Sequence, residues 1–299
     1  SVYHKSRDLS SVFNVLRVFQ QALSNDDVDT IRLRYHQITK RINLEYYSTL
    51  SDTEHSLYIG SYGRDTEINT SDIDMLVQLP YSTYAKFDAY VSNGQSSLLQ
   101  EVKAALAKTY SITNLKGDGQ IISLPFTDGI NFEVLPAFIN KDNSSFTYPN
   151  SNSGGSWKTT DPRAEISAIS GMNYLCNNNL KRLCRMARAW KNQCEVSISG
   201  ILIDLLAYRF ISTWGERDKS FLYYDWMSRD FFRYLSEQNA NQTMWQAMGS
   251  NRYFYHGGSF VYKAKVAYNI AVEATEKGTE YPATAKSKWR QIYGSSFPL

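Results

Sequence analysis

Residues 60–74 of the chain read GSYGRDTEINTSDID, so a Gly-Ser pair precedes two aspartates, Asp72 and Asp74, that are separated by one residue. Apolar residues occupy every second position from 73 to 79, and this period of two predicts a β-strand. Side chains two positions apart share one face of a strand, so the two carboxylates are expected to point the same way. The other face is predicted to be buried and comprises Ile73, Met75, Val77 and Leu79.

The chemistry of these residue types indicates a metal and phosphate site. Two carboxylates held side by side repel each other unless a cation lies between them, and hard oxygen ligands suit Mg²⁺ or Mn²⁺. Gly60 ends the apolar run 57–59 and would let a phosphate approach the backbone closely. The Ser61 hydroxyl and nearby amides can donate hydrogen bonds to phosphate oxygens. The stretch therefore predicts that a nucleoside triphosphate is held between the Gly-Ser turn and metal.

A third carboxylate is expected, because two-metal phosphoryl transfer normally uses one from a neighbouring strand. Residues 130–138 alternate in the pattern of a strand and place Glu133 on the face opposite the aromatic and branched residues. The apolar run 120–126 and an Asp-Gly turn precede that strand, which predicts a β-hairpin. Glu133 is thus predicted to complete the metal site.

These motifs resemble a known superfamily. The Gly-Ser turn, the Asp-x-Asp pair and residues 132–137 (FEVLPA) are similar to the DNA polymerase β-like nucleotidyltransferases. Within that superfamily the sequence most resembles the cGAS/DncV-like nucleotidyltransferases, or CD-NTases, and the related oligoadenylate synthases. Residues 180–191 (LKRLCRMARAWK) look like the helix that carries a triphosphate-binding basic residue in that family. The resemblance covers most of the chain, from about Leu57 to Trp214.

The resemblance implies two sets of site residues. The catalytic set would hold two Mg²⁺ or Mn²⁺ ions and consists of Asp72, Asp74 and Glu133. The nucleotide-binding set consists of Gly60, Ser61, Arg188 and Ser199. Arg188 matches the basic position two residues before a Trp, and its planar guanidinium suits phosphate oxygens. Glu133 stands where the family usually has Asp, which leaves open whether Glu133 binds metal, activates the attacking hydroxyl, or does both.

The resemblance also implies a reaction. A ribose 2′ or 3′ hydroxyl of one nucleotide attacks the α-phosphate of a nucleoside triphosphate, drawn from ATP, GTP, UTP or CTP, and pyrophosphate leaves. A second transfer closes a cyclic di- or trinucleotide, a second messenger that a downstream effector senses in bacterial antiphage defence. The spacing of the residues by itself indicates only the first transfer.

Two other functions are compatible with the sequence. The same chemistry with a different acceptor would give a linear oligoadenylate synthase or an RNA nucleotide-adding enzyme, although the chain has no basic tail or recognisable RNA module. A catalytically silent nucleotide-binding regulator is the second alternative. The presence of all three carboxylates argues against the regulator.

The helical pattern at 180–191 separates charged from apolar residues. Its basic stripe consists of Lys181, Arg182, Arg185 and Arg188. Its opposite side is predicted to be buried and consists of Leu180, Leu183, Cys184 and Ala187. The stripe is either a phosphate contact or a solvated helix face.

Composition is that of a globular enzyme. The chain has 299 residues, of which 42% are hydrophobic and 20% are charged, and its net charge of +3 does not indicate an extended nucleic-acid surface. No run of eighteen apolar residues occurs and the first residues do not form a signal-peptide pattern, so a cytoplasmic location without membrane contact is expected. The three Cys and four His residues show no metal-binding spacing.

The fold class is predicted to be α+β: a polymerase β-like core, with a mixed sheet flanked by helices at residues 1–162, and a C-terminal helical lobe at residues 163–299. The active site is expected in the cleft between them. Helices are predicted at 10–23, 27–47, 96–109, 166–192, 198–213, 226–238, 243–248 and 260–277.

A loop rich in turn formers is predicted at 140–162, either as a cover for the bound base or as a surface connection. Stacking on that base is considered for five aromatic residues, although most aromatics are expected in the core. They are Tyr62, Tyr148, Trp157, Tyr253 and Tyr255.

Overall fold

A computed structural model of the chain describes residues 25–68, 72–111, 114–278 and 280–297. The chain divides into two compact units. The sheet unit consists of Leu23–Arg64 and Asn69–Ile166, and the helical unit includes Asp65–Ile68 and Ser167–Leu299. The sequence predicts a division after residue 162, and the compact units divide after residue 166. The helix predicted at 10–23 lies outside the described residues.

A mixed sheet forms the centre of the sheet unit. Its seven strands are β1 (Ser56–Tyr58), β2 (Asp72–Gln78), β3 (Lys116–Asp118), β4 (Ile121–Leu124), β5 (Asn131–Ile139), β6 (Phe146–Asn150) and β7 (Ser156–Thr160). The strand order is β1-β2-β5-β4-β3, with β6 beside β5 and β7 beside β6. β2 and β5 are parallel, and β4 and β5 form the predicted antiparallel hairpin. The strands predicted at 72–79 and 130–138 are thereby confirmed.

Helices cover one face of this sheet and bury its apolar residues. They are α1 (Asn25–Tyr47), the short α2 (Gly60–Arg64), α3 (Tyr81–Asp88) and α4 (Gly94–Ala107). The core that α1 and α4 share with the sheet includes Ile31, Ile38, Leu98, Val102, Ile73, Met75, Phe132 and Val134. α4 begins after Asn93, whose side chain accepts a hydrogen bond from Ser96 N at 3.1 Å as an N-cap. The predicted helices at 27–47 and 96–109 are confirmed within a few residues.

The loop predicted at 140–162 is wrong, because this segment contains the β6–β7 hairpin. Asn150 pairs with Ser156, and a single 3₁₀ turn, Asn152–Gly154, connects the strands. The turn formers that suggested a loop therefore occupy the turn itself. The pairing depends on backbone hydrogen bonds, which a polar sequence can form as well as an apolar one.

The helical unit contains most of the remaining helices. Its elements are α5 (Pro162–Leu175), which begins before the division at residue 166, then α6 (Asn179–Cys194), α7 (Gly200–Thr213), α8 (Tyr224–Ser236), β8 (Met244–Gln246), β9 (Tyr253–Tyr255), α9 (Val261–Lys277) and α10 (Pro282–Tyr293). A core of large side chains fills the unit, including Trp190, Leu206, Phe231 and Phe232. The C-terminal helical character predicted from the sequence is confirmed.

Three details of the helical unit differ from the predictions. The helix predicted at 166–192 is two helices, because Asn177 and Asn178 adopt left-handed backbone conformations with φ of 52° and 63°. The helix predicted at 243–248 is instead the strand β8, which pairs with β9. α10 is not among the predicted helices.

No helix in the described part of the chain is long and apolar enough to cross a bilayer. The cytoplasmic location stays a prediction. Cys176 and Cys184 are buried thiols and Cys194 is partly exposed, and all three are free of disulfides.

Candidate functional site

The sheet brings the predicted carboxylates onto two neighbouring strands. β2 and β5 pair in register, with Asp72 opposite Asn131 and Asp74 opposite Glu133. Paired residues of adjacent strands project from the same face of a sheet, and the strands lie about 4.8 Å apart. Asp74 and Glu133 are therefore neighbours, and Asp72 shares their face two residues earlier on β2.

The two faces of these strands differ in exposure. Ile73 and Phe132 are fully buried. Asp72 is exposed, and Asp74 and Glu133 are partly exposed. The apolar face holds β2 and β5 against the core, so the carboxylates on the other face lie where a ligand can reach them.

Asp72 and Glu133 each have a neutral polar neighbour. Asn131 Nδ2 donates a long hydrogen bond of 3.4 Å to Asp72 Oδ1, and Ser123 on β4 lies opposite Glu133. Among the residues that the structure describes, no Lys or Arg forms an ion pair with Asp72 or Glu133. The repulsion expected between the neighbouring carboxylates is thus not relieved at these two residues by a protein cation.

Gly60 lies against one of these carboxylates. Its φ is +64°, and a Cβ atom added to it would overlap Asp74 Oδ2. Ile59 N donates to Asp74 O at 3.0 Å, which holds the backbone before Gly60 beside β2. The Gly-Ser pair is not a simple turn, because Gly60 and Ser61 are the first residues of α2. The structure therefore brings the Gly-Ser pair and the Asp-x-Asp pair together.

The donor set fits a hard divalent cation in its chemistry. Three carboxylates on one face of two adjacent strands supply the oxygen ligands that Mg²⁺ prefers. Among the described residues, however, no group of three or more Asp, Glu, His or Cys side chains lies close enough to share one ion. Binding would therefore require the carboxylate side chains to turn toward the ion from their positions in this structure.

The basic residue predicted to bind triphosphate lies inside the helical unit. Arg188 on α6 is 7% exposed and forms an ion pair with Asp204 on α7, which is 0% exposed. Arg188 Nη1 donates to Asp204 Oδ1 at 2.7 Å, and Arg188 Nη2 donates to Asp204 Oδ2 at 3.2 Å. This two-pronged geometry is the strong form of an arginine–carboxylate pair.

The surroundings of Arg188 stabilise its charge. Burial by itself would lower the pKa of the guanidinium, but the charge and hydrogen bonds of Asp204 more than offset burial, so the pKa lies above its ordinary value. Arg188 also donates to the carbonyl oxygens of Cys184 and Gly200 at 3.3 Å each. Gly200 has no Cβ, and a Cβ there would lie 3.0 Å from Arg188 Nη2.

The rest of the basic stripe on α6 is also paired, so the stripe is not a solvated face. Lys181 Nζ lies 3.3 Å from Asp65 Oδ2, and Arg185 Nη2 lies 2.6 Å from Asp65 Oδ1. Arg182 Nη1 donates to Tyr224 Oη at 3.1 Å. The predicted apolar side of α6 is confirmed, because Leu180, Leu183, Cys184 and Ala187 are all buried.

Ser199 precedes α7 at the N-cap position. Its Oγ atom is buried and has no hydrogen-bond partner among the described residues. The serine does not cap the helix, although serine commonly does so at this position. A buried hydroxyl without a partner has the capacity to bond a ligand oxygen.

The five aromatic candidates are spread over both units. Tyr62 contacts the edge of Tyr58, and Trp157 Nε1 donates to Asp88 at 2.9 Å. Tyr253 and Tyr255 on β9 are 66% and 70% exposed. Base stacking by any of them, including Tyr148 on β6, stays a prediction.

Sequence reasoning missed Asp65 and Asp204, which pair with the basic helix, and Thr66, which bonds Asp204. Thr66 Oγ1 donates to Asp204 Oδ2 at 2.7 Å, although 138 residues separate the two positions. A signal existed for Asp204, because it is the one acidic residue in the apolar stretch 198–208. An acidic residue at such a position has to find a cation when the helix is buried.

Solved structures with the same fold support the architecture. Escherichia coli MS115-1 CdnC in its HORMA-deltaN complex superposes with a TM-score of 0.72 at 15% identity, covering 100% of both chains. Vibrio cholerae DncV cyclic AMP-GMP synthase, in complex with the linear intermediate 5′ pppA(3′,5′)pG, gives 0.62 at 14% identity, covering 96% of this chain and 88% of that one. Capnocytophaga granulosa CdnE c-di-GMP synthase also gives 0.62 at 14% identity, covering 95% of this chain and 88% of that one. At these identities the likeness shows the fold, and the predicted fold class is confirmed.

A search of curated proteins gave no match. A family model does match: the Second Messenger Oligonucleotide or Dinucleotide Synthetase domain, SMODS, aligns with residues 14–173. That range is 160 of the 299 residues, which is more than half of the chain, and it contains the Gly-Ser pair and all three carboxylates. The resemblance inferred from the motifs is thereby confirmed, and the chain belongs to the SMODS family of CD-NTase nucleotidyltransferases.

Proposed function

We propose that this chain is a metal-dependent nucleotidyltransferase that joins nucleoside triphosphates and closes a cyclic di- or trinucleotide. The observation that carries the proposal is the register of β2 and β5, which sets Glu133 beside Asp74 while Gly60 lies against the same aspartate. Family membership supplies the reaction class. Neither a binding module nor a structural protein needs three neighbouring carboxylates on a solvent-accessible sheet face.

The carboxylates Asp72, Asp74 and Glu133 would hold Mg²⁺ or Mn²⁺, in a two-ion arrangement. The bound ions would neutralise the charge that develops around the α-phosphate. Glu133 is partly exposed beside Asp74. Its carboxylate can therefore serve as a metal ligand, as the acceptor of the proton from the attacking ribose hydroxyl, or as both.

The Gly-Ser pair would bind the triphosphate tail. Gly60 and Ser61 begin α2, and the absence of a Cβ at Gly60 lets this backbone lie directly against Asp74. The Ser61 hydroxyl and the amides at this point would donate to phosphate oxygens and leave pyrophosphate in position to depart. These donors lie beside the carboxylates, as transfer at the α-phosphate requires.

Arg188 and Ser199 complete the proposed nucleotide set. The Ser199 hydroxyl is buried without a partner among the described residues and can donate to a phosphate oxygen. Arg188 already pairs with Asp204. Arg188 Nη1 and Nη2 each make two hydrogen bonds within the protein, so a contact with triphosphate would use the remaining donor, Nε–H. Part of the effect of Arg188 is therefore expected to come through the position of α7.

The product is proposed to be a cyclic second messenger that an effector senses in antiphage defence. Two comparisons support this class: the family is described as a second-messenger synthetase, and the DncV structure holds a linear pppA(3′,5′)pG intermediate. A linear oligoadenylate product would use the same first transfer. The two outcomes differ in whether the linear intermediate rebinds for a second attack.

One experiment tests these statements together. The full chain is incubated with ATP, GTP, CTP and UTP and with Mg²⁺ or Mn²⁺, and the products are identified by mass spectrometry while pyrophosphate release is measured. The double variant Asp72→Asn/Asp74→Asn is expected to lose product and to keep its fold. The matched control is Asp29→Asn/Asp52→Asn, which changes two aspartates with 76% and 57% exposed side chains in the same unit.

The outcomes separate the candidate functions. Product that survives both phosphatase and exonuclease is cyclic and supports the proposal. Product that these enzymes degrade identifies a linear synthase or a nucleotide-adding enzyme. Absence of pyrophosphate release from the parent chain would instead support a nucleotide-binding regulator, and undiminished synthesis by the double variant would contradict the metal site.

A further inference from the structure

A four-residue segment connects the two halves of the candidate site along the chain. Residues Asp65–Ile68 follow α2, which carries Gly60 and Ser61, and precede β2, which carries Asp72 and Asp74. The segment itself belongs to the helical unit, whereas α2 and β2 belong to the sheet unit. Its attachments within the helical unit are therefore candidates for positioning the site.

The first attachment is an ion-pair cluster on Asp65. Its carboxylate contacts both Lys181 and Arg185, and Arg185 Nη2 also donates to the Asp65 carbonyl oxygen at 2.9 Å. The side chains of Lys181 and Arg185 are 18% and 16% exposed, so they are less mobile than ordinary surface cations. Asp65 has φ of +58°, a left-handed conformation that aspartate tolerates better than most residues.

The second attachment is buried. Thr66 is 0% exposed, and its hydroxyl donates at 2.7 Å to the carboxylate that Arg188 neutralises, Asp204. A hydrogen bond to a charged group in a buried setting is stronger than one between neutral groups. Thr66 therefore ties the segment to α6 and α7 at once, through the Arg188–Asp204 pair.

The third attachment is apolar. Ile68 packs against the core of the helical unit. Charge, hydrogen bonding and burial thus fix three of four consecutive residues. A loop that only connects two elements does not need so many contacts, because most loops are more mobile than the elements they connect.

The distances along the chain explain why this attachment matters for the site. Only three residues separate Ile68 from Asp72, and a residue of extended chain spans at most about 3.6 Å. Asp65 directly follows Arg64, the last residue of α2, so a shift of the segment passes to the end of α2. The three-residue connection also limits how far the start of β2 can lie from Ile68. Catalysis is sensitive to shifts of this size, since a misplacement of about 1 Å can cost on the order of 100-fold in rate.

We propose that Thr66 and Asp65 are positioning residues, which fix the Gly-Ser pair and the Asp-x-Asp pair by anchoring the intervening segment to α6 and α7. The proposal rests on the proposed function, since it assigns these residues a role in holding the same carboxylates. Neither side chain touches substrate in this role. Their effect is carried by the backbone.

The test compares two buried threonine hydroxyls in the full chain. Thr66→Val removes the hydrogen bond to Asp204, and Thr66→Ser keeps it. Thr39→Val is the matched control, because Thr39 is also 0% exposed and its hydroxyl bonds Tyr35 O and Ser56 Oγ, at 2.8 and 2.7 Å, away from the site. Each variant is measured for kcat, for Mn²⁺ affinity by electron paramagnetic resonance without nucleotide, and for Tm.

Thr66→Val is expected to lower kcat and Mn²⁺ affinity each by about 10-fold to 100-fold, the range typical of residues that orient metal ligands. Thr66→Ser is expected to restore both. Thr39→Val is expected to lower Tm to a similar extent and to leave kcat and Mn²⁺ affinity unchanged. If Thr66→Val fails to fold, Asp65→Asn replaces it in the test, because the Asp65 side chain is 57% exposed. That variant is expected to lower kcat and Mn²⁺ affinity several-fold.

Other results would overturn one proposal or both. If Thr66→Val and Asp65→Asn lower Tm as Thr39→Val does and change neither kcat nor Mn²⁺ affinity, the segment is merely structural and the inference is wrong. If the parent chain releases no pyrophosphate but binds Mn²⁺, and Thr66→Val weakens that binding, the proposed function fails while the positioning role stands. A parent chain that neither binds Mn²⁺ nor releases pyrophosphate would overturn both.

Discussion

Carboxylates have different partners in the two units of this molecule. In the helical unit, Asp204 is fully buried and receives hydrogen bonds from Arg188 and Thr66. In the sheet unit, Asp74 and Glu133 are neighbours of the same charge on adjacent strands, and both are partly exposed. The first arrangement pairs a buried carboxylate with a buried cation, and the second places two partly exposed carboxylates side by side.

We expect the buried pair to serve stability and the strand carboxylates to serve the proposed function. A buried, paired charge contributes to the folded state mainly because breaking the pair is costly. Adjacent carboxylates repel each other, and such pairs of like charge are common at functional sites. Four substitutions test this distinction, and each predicts a change in either the free energy of unfolding or the activity.

The largest effect on stability is expected at the buried pair. Asp204→Asn leaves the Arg188 guanidinium buried without a counter-charge, which typically costs about 3–5 kcal/mol. The free energy of unfolding, measured by urea denaturation, is expected to fall by that amount. Glu237→Gln is the control, because Glu237 pairs with Arg233 on the surface, where the side chains are 60% and 64% exposed, and little change is expected there. A similar change in the free energy of unfolding of both variants would contradict the stabilising role of the buried pair.

The opposite pattern is expected at the strand carboxylates. Glu133→Gln removes a like charge beside Asp74, so the free energy of unfolding without metal is expected to stay the same or to rise. Pyrophosphate release is expected to fall by about 100-fold, or roughly 2.7 kcal/mol of transition-state stabilisation. Thermal unfolding and initial rates measure the two quantities in one preparation. A variant that loses stability and keeps its activity would place Glu133 with the structural carboxylates.

A smaller effect is expected where the backbone approaches Asp74. Gly60→Ala introduces a Cβ that would overlap Asp74 Oδ2, at a residue with φ of +64°. The left-handed conformation alone costs about 1–2 kcal/mol for a residue with a Cβ. Both Tm and pyrophosphate release are expected to fall. Gly129→Ala is a matched control, because Gly129 has φ of +80° but a Cβ there would meet nothing within 4 Å, so Tm alone should change.

The strands of the sheet unit could be predicted from the sequence, because the patterns that indicate them are local. Period-two alternation identifies β2 and β5, and an Asp-Gly turn identifies the hairpin that carries Glu133. The parallel register that sets Asp74 opposite Glu133 joins residues 59 positions apart and has no local signal. The motifs predicted the two strands and named the carboxylates as candidates, and the sheet shows how the two strands are arranged.

The helical unit was predicted less well, because the contacts that bury its charged residues join positions that are distant in sequence. The basic stripe on α6 suggested exposure, but its partners Asp65 and Asp204 lie 120 and 16 residues away from Arg185 and Arg188. A helical pattern also continues through 176–178, where the backbone conformation of two asparagines ends α5. Contacts between elements that are distant in sequence determine the structure at these positions, and they override local helix propensity.

The turn between β4 and β5, which the sequence did predict, contains an ion pair that is intermediate between the buried pair and the strand carboxylates. Its substitution is expected to have the smallest effect. Arg34 on α1 donates to both carboxylate oxygens of Asp128, at 3.0 and 2.6 Å. This hydrogen bonding holds the pKa of Asp128 below its ordinary value. The pair thus resembles the Arg188–Asp204 pair in geometry, although the Asp128 side chain is 43% exposed.

A lowered pKa in the folded state stabilises the fold at pH values above the ordinary carboxyl pKa of about 3.9, and that contribution is lost as the pH falls through the folded-state pKa. Asp128→Asn is therefore expected to cost about 1 kcal/mol or less at pH 7, because solvent screens an exposed pair, and to cost progressively less as the pH falls below about 4. Urea denaturation at pH 7 and at pH 3 measures the difference, with Asp29→Asn as a control at an exposed carboxylate. If the loss in free energy of unfolding stayed constant with pH, Asp128 would act through the geometry of the turn and not through its charge. The hairpin that carries Glu133 would then be held by backbone conformation alone.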